Sequence, residues 1–78
     1  MDYTYDELIK DLEIGHEVHF RFAGKEYSIS HSKKGWHLYE FYKDGQTFAT
    51  QSDLLKHGTI NGKHLSDIWE MVEVTTIF

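Results

Sequence analysis

The chain has no cysteine and no proline. Without thiols no disulfide can staple the fold and no thiol can serve as a nucleophile; the absence fits a reducing compartment. With no proline, no low-complexity run, no internal repeat and no linker-like stretch, residues 1–78 read as a single compact domain. Long apolar runs are also missing. Nothing approaches the length of a signal peptide or a membrane span, so the expectation is a complete cytoplasmic protein with no membrane association. A domain this small buries only ~60% of its unfolded surface, and its stability must come from what it has in quantity, which is aromatic area. Five Phe, five Tyr and two Trp supply it, each able to bury ~150–250 Å².

The formal charge is −5 and is unevenly spread. Acidic residues dominate the first seventeen positions (Asp2, Asp6, Glu7, Asp11, Glu13 and Glu17 against Lys10) and the last fourteen (Asp67, Glu70 and Glu73), whereas residues 18–64 carry a net +3. An acidic chain is a poor nucleic-acid binder unless its cations converge on one surface, so the charge argues against a nucleic-acid partner. Lys33, Lys34 and Lys43 beside aromatic strands are the residues that a base-stacking reading would use; a solvated turn explains the first two equally well. The acids of the first helix could join Asp67, Glu70 and Glu73 in one negative surface only if the two ends of the chain meet in space.

Thr4-Tyr5-Asp6-Glu7 has the form of a capping box, and Tyr5, Leu8, Ile9 and Leu12 follow at helical spacing up to Gly15, a natural left-handed terminator. Tyr3 and Leu8 stand where a hydrophobic staple would pack. From His16 the period becomes two. Val18, Phe20 and Phe22 alternate with polar residues, and Tyr27 and Ile29 resume the pattern after Ala23-Gly24, which predicts a hairpin. A two-residue loop would place Phe20 opposite Tyr27, Val18 opposite Ile29 and Arg21 opposite Glu26. Ala23 suits a turn with two positive φ angles poorly, so a type I turn with a Gly24 bulge competes and would shift those pairs. Further turns at Ser32–Gly35 and Lys43–Gln46 continue a meander into a short strand at Thr47-Phe48-Ala49. A short helix over 52–57, capped by Thr50 or Ser52 and closed by Gly58, comes next, then an Asn61-Gly62 turn. Leu65, Ile68, Trp69 and Val72 predict a third helix over 64–72, and Glu73–Phe78 a last strand. The expected fold is α+β: a mainly antiparallel sheet of about five strands with an N-terminal helix and two later helices, in the order α-β-β-β-β-α-α-β. Val18, Phe20, Phe22, Tyr27, Ile29 and Leu38 should meet Leu8, Ile9, Leu12, Leu54, Ile68 and Trp69 in the core.

Within that sheet, Trp36–Tyr42 is the segment that points toward function. Alternation sends Trp36, Leu38 and Tyr42 one way and Tyr39 and Phe41 the other, so both faces of the strand carry large apolar groups. One face builds the core. The other is either covered by a second layer or offered to a partner, since contiguous exposed aromatic surface marks interaction sites. The candidate protein-binding residues on that second face are His19, Arg21, His37, Tyr39 and Phe41.

Catalytic and metal chemistry find no support. His16 and His19 would share a helix face, but on a strand they point to opposite sides. Across the Ser32–Gly35 turn His31 faces Trp36 and His37 faces Ser30, again on different faces. Six histidines fit a pH-sensitive surface better than a chelate. The serines sit in strands, turns and caps that explain them, and Glu40 with Glu17 or Glu26 is a carboxylate pairing that nearly any hairpin offers. The reading is non-enzymatic, with no cofactor and no metal.

From Tyr3 onward the chain resembles a group of short uncharacterised proteins encoded by Firmicutes, their phages and mobile elements. The resemblance rests on Gly24-Lys25-Glu26-Tyr27, Gly35-Trp36, Leu54-Leu55, Asn61-Gly62-Lys63-His64-Leu65, Ile68-Trp69-Glu70 and Val72-Glu73-Val74-Thr75-Thr76-Ile77-Phe78. It implies a phage or mobile-element accessory protein, including an inhibitor of a host defence protein, and carries over no site residues. The partner expected from sequence is thus a host or phage protein, with a homo-oligomeric structural protein, such as a homodimer, and then a small-ligand or metal binder as the alternatives.

Overall fold

The computed structural model describes residues 3–78; Met1 and Asp2, which begin the acidic N-terminal segment, lie outside the described residues. Helix α1 spans Tyr5–Ile14. The Thr4 hydroxyl accepts from the Glu7 amide at 3.1 Å and Gly15 closes the helix in the left-handed region at φ 104°, as the sequence predicts. The Glu7 carboxylate does not return to the Thr4 amide; it lies 3.5 Å from the Thr4 hydroxyl. Tyr3 packs against the core and donates its hydroxyl hydrogen bond to Asp11. Burial and that bond push its phenol well above the usual tyrosine range.

Strands β1 (Val18–Phe22), β2 (Lys25–Ser32), β3 (Gly35–Glu40), β4 (Gln46–Phe48) and β7 (Glu73–Ile77) form one sheet in the order β4-β3-β2-β1-β7, every pair antiparallel. The first hairpin has the register of a two-residue loop, with Phe20 opposite Tyr27, Val18 opposite Ile29 and Arg21 opposite Glu26. Ala23 adopts φ 53° and Gly24 φ 77°, so the turn takes two positive φ angles even though alanine resists one of them. Cross-strand packing on three strands holds the register that the turn residue alone would not favour.

Helix α2 (Gln51–His57) is capped by Thr50, whose hydroxyl accepts from the Asp53 amide at 3.1 Å. Gly58 ends it without the left-handed conformation expected of a glycine terminator: its φ is −68°. Glycine is needed there for space, because a Cβ would come within 2.6 Å of the Leu54 carbonyl oxygen and 3.0 Å of Leu38. The Asn61-Gly62 turn forms a small separate hairpin of β5 (Thr59–Ile60) and β6 (Lys63–His64). The Gln46 side chain ties that hairpin to the main sheet, accepting from the Thr59 amide at 3.0 Å and donating to the Thr59 carbonyl at 2.7 Å.

The third helix is shorter than its apolar spacing predicts. Helix α3 covers Leu65–Ile68, and Trp69–Met71 tightens into a 3₁₀ turn from which the chain leaves into β7. The stripe is kept all the same, with Leu65, Ile68 and Trp69 buried. The Trp69 indole N–H donates to the Tyr3 carbonyl at 3.0 Å, so the start of α1 and this turn meet. Of the acids that could join there, Glu70 lies beside Tyr3, Thr4 and Tyr5 at the start of α1, Asp11 is engaged by Tyr3, and Glu73 pairs with Arg21 on the sheet.

All three helices lie on one side of the five-stranded sheet. Leu8, Leu12, Leu54, Leu65, Ile68 and Trp69 pack with Val18, Phe20, Tyr27, Ile29, Leu38 and Val74 in one core, where each fully buried aliphatic side chain stabilises the fold by about 1.5–3 kcal/mol. Phe22 and Ile9, expected in this core, are only half-buried: Phe22 packs at its rim, and Ile9 faces a surface depression between α1 and α2. Ile60 and Val74 take interior places that helical and strand spacing did not assign, and Leu65, on the predicted stripe of the third helix, joins them there. Among the described residues no helix is long and apolar enough to cross a membrane.

Candidate functional site

Among the described residues no helix packs on the outer face of the sheet, and the strand registers state which side chains stand there. His19 lies opposite Ser28 and also opposite Thr76, and Ser28 lies opposite Tyr39, forming a row across four strands. The next row runs Glu73, Arg21 and Glu26. Phe41 follows the end of β3, and its amide donates to the Glu26 carbonyl at 2.9 Å, which continues the pairing one step beyond the strand.

The small side chain of Ser28 decides what happens in the first row. His19 and Tyr39 stand two strands apart, about 10 Å, with only a serine between them. The Phe41 ring fills the gap. Its centroid is 5.1 Å from that of His19 and 6.4 Å from that of Tyr39, while Phe78 approaches His19 from the other side at 4.7 Å. The result is an aromatic cap laid across β1, β2 and β3. Beneath it Ser28 has no exposed surface although no helix covers that face, and its hydroxyl has no hydrogen-bond partner. A buried hydroxyl left unpaired costs about 1–3 kcal/mol.

Beside the cap, Tyr42 is fully exposed and has φ 67°. The sequence places it with Trp36 and Leu38 on the core side, but the strand ends at Glu40. The Lys43 amide donates to the Glu40 carbonyl at 3.1 Å, closing a turn whose third residue is Tyr42. That position calls for positive φ and normally takes glycine or asparagine. A tyrosine there is strained by roughly 1–2 kcal/mol and gains no burial in return. His19, Tyr39, Phe41 and Tyr42 together line a shallow depression.

All five residues singled out from sequence stand on this face, but in three settings. His19, Tyr39 and Phe41 converge. Arg21 is exposed next to them and is held by Glu73 at 3.3 Å and Glu26 at 4.0 Å, an arrangement that fixes its position more than it stabilises the fold. His37 is tied down separately, with Nε2 2.7 Å from the Ser32 hydroxyl and Nδ1 3.0 Å from that of Thr47. Both its ring nitrogens are engaged within the chain. Sequence reasoning missed Ser28, Tyr42 and Phe78. Ser28 could have been noticed as the one small residue opposite two large rings, whereas Tyr42 and Phe78 carried no signal of their own.

Two further histidines, His16 and His31, serve the framework, whereas His57 and His64 are exposed. His31 faces Trp36, with ring centroids 4.6 Å apart, and its Nε2 is 3.0 Å from the Gly15 carbonyl; His16 Nδ1 is 2.5 Å from the Phe78 carbonyl. Among the described residues no three His, Asp or Glu side chains are grouped to hold a metal ion. Comparison with family models, with curated proteins and with solved structures finds no match to this chain.

Proposed function

We propose that the protein is a small non-catalytic, cytoplasmic protein-binding module whose outer sheet face docks a macromolecular partner. The observation that carries this reading is Tyr42. A fully exposed aromatic side chain is held on a strained backbone beside the half-exposed rings of His19, Tyr39 and Phe41, on a face that no helix covers. Strain of this kind persists where the surroundings impose it and clusters at functional positions. Aromatic anchors surrounded by fixed polar groups are the composition of binding hot spots. Here Arg21, Glu26, Glu73 and His37 supply the fixed polar rim.

The resemblance to short proteins of Firmicutes phages and mobile elements gives the partner a context: a host protein, with inhibition of a defence protein as the biological role. Self-association into a homo-oligomeric structural protein is the competing reading, and a different part of the molecule favours it.

The test is capture from a Firmicutes host extract with the wild-type chain, Tyr42→Gly, Phe41→Ala and, as a control on the opposite side of the molecule, Lys56→Ala. A specific partner retained by wild type and the control, and lost by both outer-face variants while they remain folded, supports the reading. A partner retained by all four places the binding surface elsewhere.

A further inference from the structure

Strand β7 is an edge of the sheet: among the described residues it pairs with β1 on one side and with no strand on the other. Among the described residues five large hydrophobic side chains are exposed, and three of them lie in or next to this strand in sequence. Ile77 (41% exposed) and Phe78 (58%) stand at its end and Met71 (63%) two residues before its start. Ile14 (73%) ends α1, and the short segment that follows it is fastened to Phe78, with His16 Nδ1 2.5 Å from the Phe78 carbonyl and the Phe78 amide donating to the Glu17 carbonyl at 2.8 Å. The fifth, Tyr42, belongs to the outer-face cluster.

The opposite edge is built differently. Strand β4 has three residues, α2 packs against it, and its Gln46 is occupied with Thr59. Short, covered edges are how soluble proteins avoid pairing with other chains; lysine, proline, inward charge and β-bulges are other means. From Val74 through Ile77 strand β7 has no lysine, proline or charge and is β-branched throughout; the one such device it carries is the bulge at Thr75 in its pairing with β1. Its only charge, Glu73, is at the start and is engaged by Arg21.

We infer that β7 pairs antiparallel with β7 of a second copy, joining two five-stranded sheets into one of ten strands. The bulge at Thr75 decides the register. It leaves Val74 and Ile77 on the helix side and Glu73 and Thr76 on the outer side. Placing Val74 opposite Ile77 of the second copy matches the faces, sets Thr75 against Thr76, and satisfies two-fold symmetry. The two Glu73 residues then stand at opposite ends of the new ladder, about 16 Å apart along the strands, farther than charges interact strongly at physiological salt. Val74 and Ile77 of the two copies form one apolar row, with Met71 just before it in the chain. A single strand with four apolar side chains falls short of the ~800 Å² per partner of a standard stable interface, so the dimer is concentration-dependent.

Light scattering after size-exclusion chromatography, from about 1 μM to about 1 mM, should show the mass rise from 9.2 kDa toward twice that value. Ile77→Lys and Met71→Lys, both at exposed positions, should remain folded at low concentration and weaken association by about tenfold or more; Tyr42→Gly should not change it. Hydrogen exchange at Thr75–Ile77 should slow as the dimer forms. A wild-type chain still monomeric at about 1 mM overturns the inference. So does a dimer that both lysine variants retain, or one that slows exchange away from β7.

Discussion

The two faces of the sheet are made by the same strands and solve burial in different ways. On the helix side, Val18, Phe20, Tyr27, Ile29 and Leu38 meet three helices and are almost wholly sealed. On the outer side, His19, Tyr39 and Phe41 meet one another, the surface rings of Tyr42 and Phe78, and a serine, yet that serine is as buried as any core leucine. The first arrangement is a core in the ordinary sense. The second is a small aromatic cap, dry at its base and open at its top, with one polar group left unpaired beneath it. The difference suggests where stability and recognition reside: the helix side holds the fold, and the outer side tolerates an orphaned hydroxyl and a strained turn that a stability-optimised surface would lose.

The largest expected effect is on the sealed side. Trp69→Ala should cost about 3–5 kcal/mol in urea denaturation and leave so small a domain mostly unfolded, because the indole packs against Phe20 at 5.4 Å and holds the Tyr3 carbonyl. Near-native stability would remove Trp69 from the core and dissolve the comparison. Phe41→Ala should be milder, about 1–2 kcal/mol, since its ring is only half-buried and its aromatic neighbours, His19, Tyr39 and Tyr42, are themselves surface rings. A loss as large as that of Trp69→Ala would make the outer cap a second core and take away its role in binding.

Ser28→Ala sharpens the contrast by reversing the sign. Removing a buried hydroxyl that bonds nothing should raise stability by about 1 kcal/mol, measured by the same denaturation. A destabilised Ser28→Ala variant would mean that the hydroxyl is paired in solution.

The smallest effect separates the two sides by pH. The Tyr3 phenol, on the helix side, titrates above its unfolded value because burial and then Asp11 disfavour the phenolate. A group raised in this way contributes stability that is fully present below the unfolded tyrosine pKa of about 10 and is lost as pH rises toward the folded value. Thermal melts of wild type should therefore decline above about pH 10 more steeply than those of Tyr3→Phe. Equal alkaline slopes would show that Tyr3 titrates as it does when unfolded.

Much of this was legible in the chain because it rests on short-range chemistry. Thr4 and Gly15 bound α1, Thr50 begins α2, and the alternation from Val18 to Ile29 sets the hairpin register, each through residues a few positions apart. The same alternation placed His19, Arg21, His37, Tyr39 and Phe41 on one face. What it could not supply was the identity of the covered face. That depends on where α1, α2 and α3 dock, which is settled by contacts between residues far apart in sequence, such as Trp69 with Tyr3. Only tertiary structure set β7 beside β1, across more than fifty positions, and so brought Phe78 to His19 and gave Val74 its place in the core. It also ended β3 at Glu40, turned Tyr42 into solvent and laid Phe41 over Ser28. Local periodicity determines which side chains share a face; the packing of distant segments determines which face is left open.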